Sequence, residues 1–202
     1  MGNNDTPTRV RHKIENTIII ALIAVFCAHH SVAQELMERH NAIKITFLSW
    51  ITGTTKISYE RSFTQKQTGE LTLGLICAGF DKYKNNPKGY TIRYAHKFIL
   101  KNNTQYALNG FYVKPEFVWS NFNYDAKHDD SRTKANMLAL FGCTGYQWAR
   151  KHFIVDGYIG IGPAIGTPAD THYHHGFILW NYFDTYCKHV AMTFAIKLGY
   201  SF

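Results

Sequence analysis

From Val190 to Phe202 the chain alternates without a break. The even positions are Val190, Met192, Phe194, Ile196, Leu198, Tyr200 and Phe202, all apolar or aromatic. The odd positions are Ala191, Thr193, Ala195, Lys197, Gly199 and Ser201, all small or polar, one of them a lysine. Successive side chains of a strand point to opposite faces, so this period of two makes a strand with one apolar and one polar face. Its length matches the roughly 9–11 tilted residues that cross a bilayer as a strand. A helix would scatter the same residues around its axis and leave no consistent face.

The same test, run back along the chain, predicts seven more strands. Ile43, Ile45 and Phe47 alternate with Lys44 and Thr46; Ile57 and Tyr59 alternate with Lys56, Ser58 and Glu60. Leu71, Leu73 and Leu75 alternate with Glu70, Thr72 and Gly74. Tyr90, Ile92, Tyr94 and Phe98 oppose Thr91, Arg93 and Lys97; Phe111, Val113, Phe117 and Trp119 oppose Lys114 and Glu116. In 134–148, Leu138, Leu140, Tyr146 and Trp148 share a face, which turns Met137 and Phe141 the other way. Phe153, Val155, Ile159, Ile161 and Ile165 oppose Ile154, Asp156, Tyr158 and the small residues of that stretch. The expected strands run near 42–50, 54–63, 69–80, 89–100, 106–121, 134–148, 152–166 and 190–202. Pro115 and Pro163 fall inside them. Proline cannot donate to a ladder, so a bulge is expected at each.

The connections alternate in length. Short ones follow the second, fourth and sixth strands, at Thr64–Thr68, Lys101–Gln105 and Ala149–Lys151. Long ones follow the third, fifth and seventh, at Asp81–Lys88, Phe122–Thr133 and Thr167–His189, while the first hairpin near Ile51–Gly53 is short. Bacterial membrane barrels have short periplasmic turns and longer outer loops. The expected fold is therefore all-β: an eight-stranded antiparallel up-and-down transmembrane β-barrel.

The N-terminus bears on the compartment. Arg9, Arg11 and Lys13 precede an eleven-residue apolar run, Ile18 to Ala28, and Ser31-Val32-Ala33 places small residues before Gln34. Charge, apolar core and small-residue site are the parts of a secretory signal, and the run is too short for a membrane anchor. Cys27 does not read as a lipidation site, because bulky Phe26 precedes it. The expected organisation is a signal peptide at 1–33, a short periplasmic segment at 34–41 and the barrel at 42–202. Removing the signal leaves 169 residues with 19 basic and 12 acidic side chains, a charge of +7. These charges are scattered rather than run together, which argues against nucleic acid as a partner. Cys77, Cys143 and Cys187 remain, an odd and widely spaced set that makes no disulfide framework. Cys77 and Cys143 fall in strand patterns as small apolar residues.

The inward face collects Lys44, Lys56, Arg93, Lys97, Lys114 and Lys197 against Glu60, Glu70, Glu116 and Asp156. An eight-stranded barrel has an interior just wide enough for side chains to fill. Buried charges persist when paired, so these ten are expected to form a polar plug rather than a channel. Trp50, Tyr59, Phe80, Tyr90, Trp119, Trp148, Phe153, Tyr200 and Phe202 lie near strand ends on the outward face, where a membrane barrel carries its aromatic girdles. Alternation alone also admits a soluble lipocalin-like barrel, with the apolar face turned inward around a ligand.

The ending Ile196-Lys197-Leu198-Gly199-Tyr200-Ser201-Phe202 resembles the C-terminal strand of outer-membrane proteins. That resemblance implies that Tyr200 and Phe202 form a signal read by the barrel-assembly machinery. Ile43-Lys44-Ile45 through Ser58-Tyr59-Glu60, and Gly110 through Phe117, resemble segments of small uncharacterised outer-membrane barrels. Over most of 42–202 the chain is similar to the OmpA/OmpX type. No further domain is expected after Phe202, so peptidoglycan binding is not implied.

Candidate chemistry is sparse. His172, His174 and His175 form an outer-loop cluster with no nearby cysteine and no closed-site spacing, so they are read as a solvated loop and no metal or cofactor is assigned. Asp170, His172, His174, Asp184 and Ser120 are the available pieces of a lipid A-modifying enzyme, but no motif fixes their geometry. The sequence reading is a non-enzymatic, monomeric barrel with a structural or surface-interaction role. It sits in the bacterial outer membrane, and its loops contact lipid or lipopolysaccharide. Lys82, Lys84 and Lys88, and Lys127, His128 and Arg132, are the basic loop residues suited to that contact. The alternatives are the lipid A enzyme, a narrow pore and the lipocalin-like barrel.

Overall fold

The computed structural model describes residues 39–47, 49–77, 86–101, 108–125, 132–167, 177–180 and 190–202. The described strands are β1 (Asn41–Thr46), β2 (Thr54–Thr64), β3 (Gln67–Ile76), β4 (Lys88–Lys101), β5 (Gly110–Asp125), β6 (Arg132–Arg150), β7 (Phe153–Thr167), β8 (Ile178–Trp180) and β9 (Val190–Ser201). Each neighbouring pair is antiparallel, and β1 pairs with β9 to close the sheet. Eight strands thus form a closed barrel, and the three-residue β8 is an addition to it. Closure satisfies the edge groups that an open sheet would leave unpaired. It is sealed where β1 begins and the chain leaves β9: Asn41 N–H donates to Phe202 O at 3.2 Å, and Phe202 N–H donates to Asn41 O at 2.9 Å.

The barrel end where β1 begins is called proximal here, and the other end distal. Proximal hairpins are tight where they are described. Gln65 and Lys66 join β2 to β3, with Thr64 Oγ1 accepting from Lys66 N–H at 3.2 Å. Lys151 and His152 join β6 to β7, and Lys151 takes a left-handed φ of 53° that the two-residue turn requires.

Four features differ from the sequence expectation. First, β1 ends at Thr46 rather than near residue 50, because Ser49–Thr52 forms a 3-10 turn. Ser49 Oγ donates to Thr46 O at 3.0 Å, and Gly53 at φ 76° reverses the chain. A hydroxyl that bonds its local backbone competes with the ladder. Second, the segment read as one long loop after β7 contains β8. β9 pairs along one edge with β7, so its other edge carries β1 at Lys197–Ser201 and β8 at Val190–Met192. β8 therefore extends the column that short β1 leaves. Third, neither strand proline makes a bulge. The β4–β5 register is the same on both sides of Pro115, and the β6–β7 register the same on both sides of Pro163. The ladder lapses for two pairs and resumes without an inserted residue. Proline's missing donor is thus accommodated by a gap, and the register shifts lie elsewhere, near Ser62/Thr64 and Ile99/Lys101. Fourth, Cys77 lies one residue beyond β3 and is exposed, whereas Cys143 is buried within β6.

Burial alternates along every long strand as the period predicts, from iBeBeB in β1 to near-strict alternation through β6. Met137 and Phe141, turned inward by parity alone, are 0% and 1% exposed. Thirty large apolar or aromatic side chains among the described residues are exposed, while the buried set is rich in alanine and charged groups. The polarity is inverted relative to a soluble core, as Phe194 at 68% and Lys44 at 0% exposure illustrate.

The interior is filled in layers. Ala42, Leu108, Ala149 and Ile154 close the proximal end. Ile76, Phe122, Tyr124 and Ala135 fill the distal end. Below that distal layer Phe141 meets Phe177, which leads into β8, with ring centroids 5.7 Å apart. Between these apolar layers lie the charges.

Candidate functional site in the barrel interior

Parity brings ten charged side chains to one place. Lys44 (β1), Lys56 and Glu60 (β2), Glu70 (β3), Arg93 and Lys97 (β4), Lys114 and Glu116 (β5), Asp156 (β7) and Lys197 (β9) are all buried, none more than 7% exposed. They divide into two sets.

The proximal set matches three ammonium groups to three carboxylates. Lys44 Nζ lies 2.9 Å from Glu70 Oε2 and 2.8 Å from Asp156 Oδ2, and also pairs with Glu60. Lys97 Nζ lies 3.1 Å from Glu60 Oε1, 2.9 Å from Glu70 Oε2 and 2.7 Å from Asp156 Oδ2. Lys197 pairs with Glu70 and donates to Ser58 Oγ at 3.2 Å and Thr72 Oγ1 at 3.3 Å. Neutral groups complete the lattice. Gln147 Oε1 accepts from Lys44 and Lys97, both at 2.8 Å, and its Nε2 donates to Glu60 Oε2 at 3.1 Å. Tyr112 OH donates to Asp156 Oδ1 at 2.5 Å, and Thr68 Oγ1 donates to Glu60 Oε1 at 2.6 Å. The Tyr112 ring also lies under Lys97 Nζ, 4.7 Å from its centroid.

The distal set is built on Glu116. Arg93 NH1 lies 2.7 Å from Glu116 Oε1 and donates to Tyr158 OH at 3.0 Å and Thr193 Oγ1 at 3.3 Å. Lys114 Nζ lies 2.6 Å from Glu116 Oε2 and 3.4 Å above the Tyr158 ring. Lys197 Nζ stands 5.3 Å from the same ring and connects the two sets. Lys56 lies toward the distal end. Among the described residues it has no hydrogen-bond or ion-pair partner.

Glu60, Glu70 and Asp156 bring carboxylate oxygens within 4.8 Å of one another, a spacing that can hold a metal ion. Here Lys44 and Lys97 place their ammonium groups against all three carboxylates. The protein's own cations fill the position a metal would take, so the cluster is an ion-pair lattice. Such a lattice stabilises through its geometry: each buried charge is tolerated because several opposite charges and dipoles surround it.

The remaining candidates separate from this site. Ser120 lies in the interior, 1% exposed, and not at the outer rim where a lipid-modifying nucleophile would stand. Asp170, His172, His174, His175 and Asp184 lie outside the described residues, as do Lys82, Lys84, Lys127, His128, Phe80, Cys187 and residues 1–38. Lys88 begins β4 and is exposed, and Arg132 begins β6 with NH2 3.4 Å from Asn86 O. Tyr200 and Phe202 are exposed at 55% and 50% on the outer face, beside the β1–β9 closure. Tyr200 stacks on His152 at 4.8 Å.

The charged members were visible by type and parity. Gln147, Tyr112, Thr193, Ser58, Thr72 and Thr68 were not singled out, although the parity of their strands already turns them inward. A polar residue on a wholly buried face must find a partner, and that rule was the missed signal.

A protein-family comparison matches residues 18–201 to the description "Protein of unknown function (DUF3575)". No curated protein and no solved structure matches the chain.

Proposed function

We propose that the chain, which belongs to the DUF3575 family, is an outer-membrane β-barrel of the small OmpA/OmpX type, with a structural or surface-interaction role and no catalytic task. The observation that carries this reading is the inverted polarity of the barrel. Ile57, Leu73, Phe117, Leu140, Ile161 and Phe194, from six different strands, are exposed around its circumference. Among the described residues, every exposed Lys, Arg, Asp or Glu within a strand lies within three residues of that strand's end. A continuous apolar belt of this size is rare on soluble monomers and is what a lipid-facing barrel presents. A lipocalin-like binding barrel would need the opposite arrangement. Export through the signal-like segment at 1–33 and assembly through Tyr200 and Phe202 belong to the same reading.

The filled interior supports a scaffold rather than a conduit. Apolar layers lie on both sides of the ion-pair lattice, and an eight-stranded barrel has little lumen beyond what side chains occupy. Recognition then falls to the distal loops, with lipopolysaccharide as the partner that suits their basic residues. Replacing Lys82, Lys84 and Lys88 together with Gln is expected to weaken binding to lipopolysaccharide vesicles. Unchanged binding would remove that partner.

Gel mobility of the protein from an outer-membrane fraction, cold against boiled, tests the reading. The expected result is a compact, fast-running cold form that shifts on boiling. Recovery in the soluble periplasm with no shift would overturn it.

A further inference from the structure

The outer charges of the barrel are sorted by sign along its axis. The proximal rim carries Arg39, Arg61, Lys66, Lys101, Arg150 and Lys151, all exposed but for half-buried Arg39. The segments that join strands at this end, 65–66, 102–109 and 151–152, contain no Asp or Glu. Among the described residues Asp125 is the one exposed acid, and it stands at the distal end, 4.0 Å from Arg132. Asp81, Asp129, Asp130, Asp170 and Asp184 likewise belong to connections at the distal end. Glu35 and Glu38 precede the barrel and lie outside the described residues. A rim that only needed solvation would mix both signs, as the distal connections do.

Three of the proximal cations point outward, over the edge of the apolar belt. Arg61 shares the outward parity of exposed Tyr59 and pairs across the ladder with Asn41 and Gly69. Arg150 shares the parity of Trp148 and pairs with exposed Phe153, and the Trp148 and Phe153 rings meet edge to face at 6.3 Å. Lys101 reaches the same face through an irregularity of β4. Ile99 is buried and pairs with Tyr112, so regular alternation would turn Lys101 inward two positions later. The register shift between them instead sets Lys101 opposite exposed Phe111, the re-aiming that a bulge performs. Aromatic rings at the end of a membrane barrel sit at headgroup level. A long cationic side chain just beyond them lays its stem on apolar surface and its charge in the polar layer.

We propose that the proximal rim binds the phosphate headgroups of anionic phospholipids, through Arg61, Lys101 and Arg150 at the edge of the belt. The inference rests on the reading of that belt as lipid-facing and adds a charge preference at one of its two edges. Guanidinium groups grip phosphate through paired N–H donors, and lysine attracts it as a point charge. The same reading turns the proximal end toward the periplasm, where the adjoining leaflet is phospholipid, so phospholipid rather than lipopolysaccharide is the source of the phosphate. The cations come from β2, β4 and β6, so they dress the circumference rather than line one pocket.

Electron spin resonance of spin-labelled lipids, on the full barrel reconstituted in phosphatidylcholine vesicles, reads the preference. Wild type is expected to immobilise labelled phosphatidylglycerol more than labelled phosphatidylcholine, by about twofold once the attraction of a few cations is averaged over the whole lipid shell. Raised salt is expected to narrow that difference, because exposed charges are screened. The triple variant Arg61→Gln, Lys101→Gln, Arg150→Gln is expected to equalise the two lipids. Lys88→Gln, Arg132→Gln, Lys134→Gln, its counterpart on the distal rim, is expected to keep the wild-type preference. Each variant is first checked for the cold-gel mobility of a closed barrel. Should the proximal triple variant fail to close, Lys101→Gln with Arg150→Gln and the salt series on wild type decide the question. No immobilised component for either lipid overturns the lipid-facing reading and the proposal together. An immobilised component without preference overturns the proposal alone. So does a preference that survives in the folded proximal variant or disappears in the distal one.

Discussion

Asp156 meets Lys44 and Lys97 through one oxygen and Tyr112 through the other. Asp156→Asn keeps the shape and removes the charge, leaving three ammonium groups to two carboxylates. Breaking a buried ion pair in this way costs about 3–5 kcal/mol, whereas replacing both partners with apolar groups is often close to neutral. Urea unfolding of the folded barrel is expected to show that loss for Asp156→Asn, and a smaller loss for the double variant Lys97→Met, Asp156→Leu. Equal losses would mean that the lattice is not held by its charges. Gly162 gives a steric counterpart. A Cβ there would collide with the Leu140 carbonyl oxygen, so Gly162→Ala is expected to destabilise by about 1–3 kcal/mol, in the range of overpacked sites. At this scale the sequence was legible for charge and illegible for partner. Parity turns Lys44 and Glu70 inward, but nothing local says that residues 26 apart in the chain lie 2.9 Å apart.

At the scale of the element, β9 carries the clearest test of what surrounds the barrel. Phe194 sits mid-strand and is 68% exposed. In lipid, a lysine at the bilayer midplane of a barrel costs about 2–4 kcal/mol and falls to about 0–1 near an interface. In water the same exposed substitution stays within about 0.5 kcal/mol. Phe194→Lys is therefore expected to lower stability in liposomes well beyond Phe153→Lys at the proximal end of β7, by unfolding in denaturant. Equal, negligible effects would place the face in water. The long strands were readable because period two survives any tertiary arrangement that buries one face. β8 was not, because three residues are too few to show a period, and their pairing exists only through the vacancy β1 leaves on the β9 edge. The end of β1 was also hidden, since a Ser49 side-chain bond and a glycine at positive φ outweigh a pattern that otherwise runs on through Phe47.

For the whole molecule, the order of interior layers sets the expected transport behaviour. A proximal apolar layer, an ion-pair lattice, the Phe141–Phe177 contact and a distal apolar layer follow one another along the axis. Planar-bilayer recording of the reconstituted barrel is expected to give a flat current. Discrete steps would show that the lattice opens. Phe177→Ala removes one ring of that stack and is expected to destabilise by about 3–5 kcal/mol without creating conductance, because the lattice beneath remains paired.

The sequence by itself determined the long strands, the faces of their residues and the inward set of charges, because alternation is a local property that one strand displays alone. Only the tertiary structure decided which charges meet and how the register passes Pro115 and Pro163. Those outcomes depend on stagger between strands far apart in the chain. A one-residue change of register would turn every side chain to the other face, and a two-residue change would keep the faces but exchange every partner.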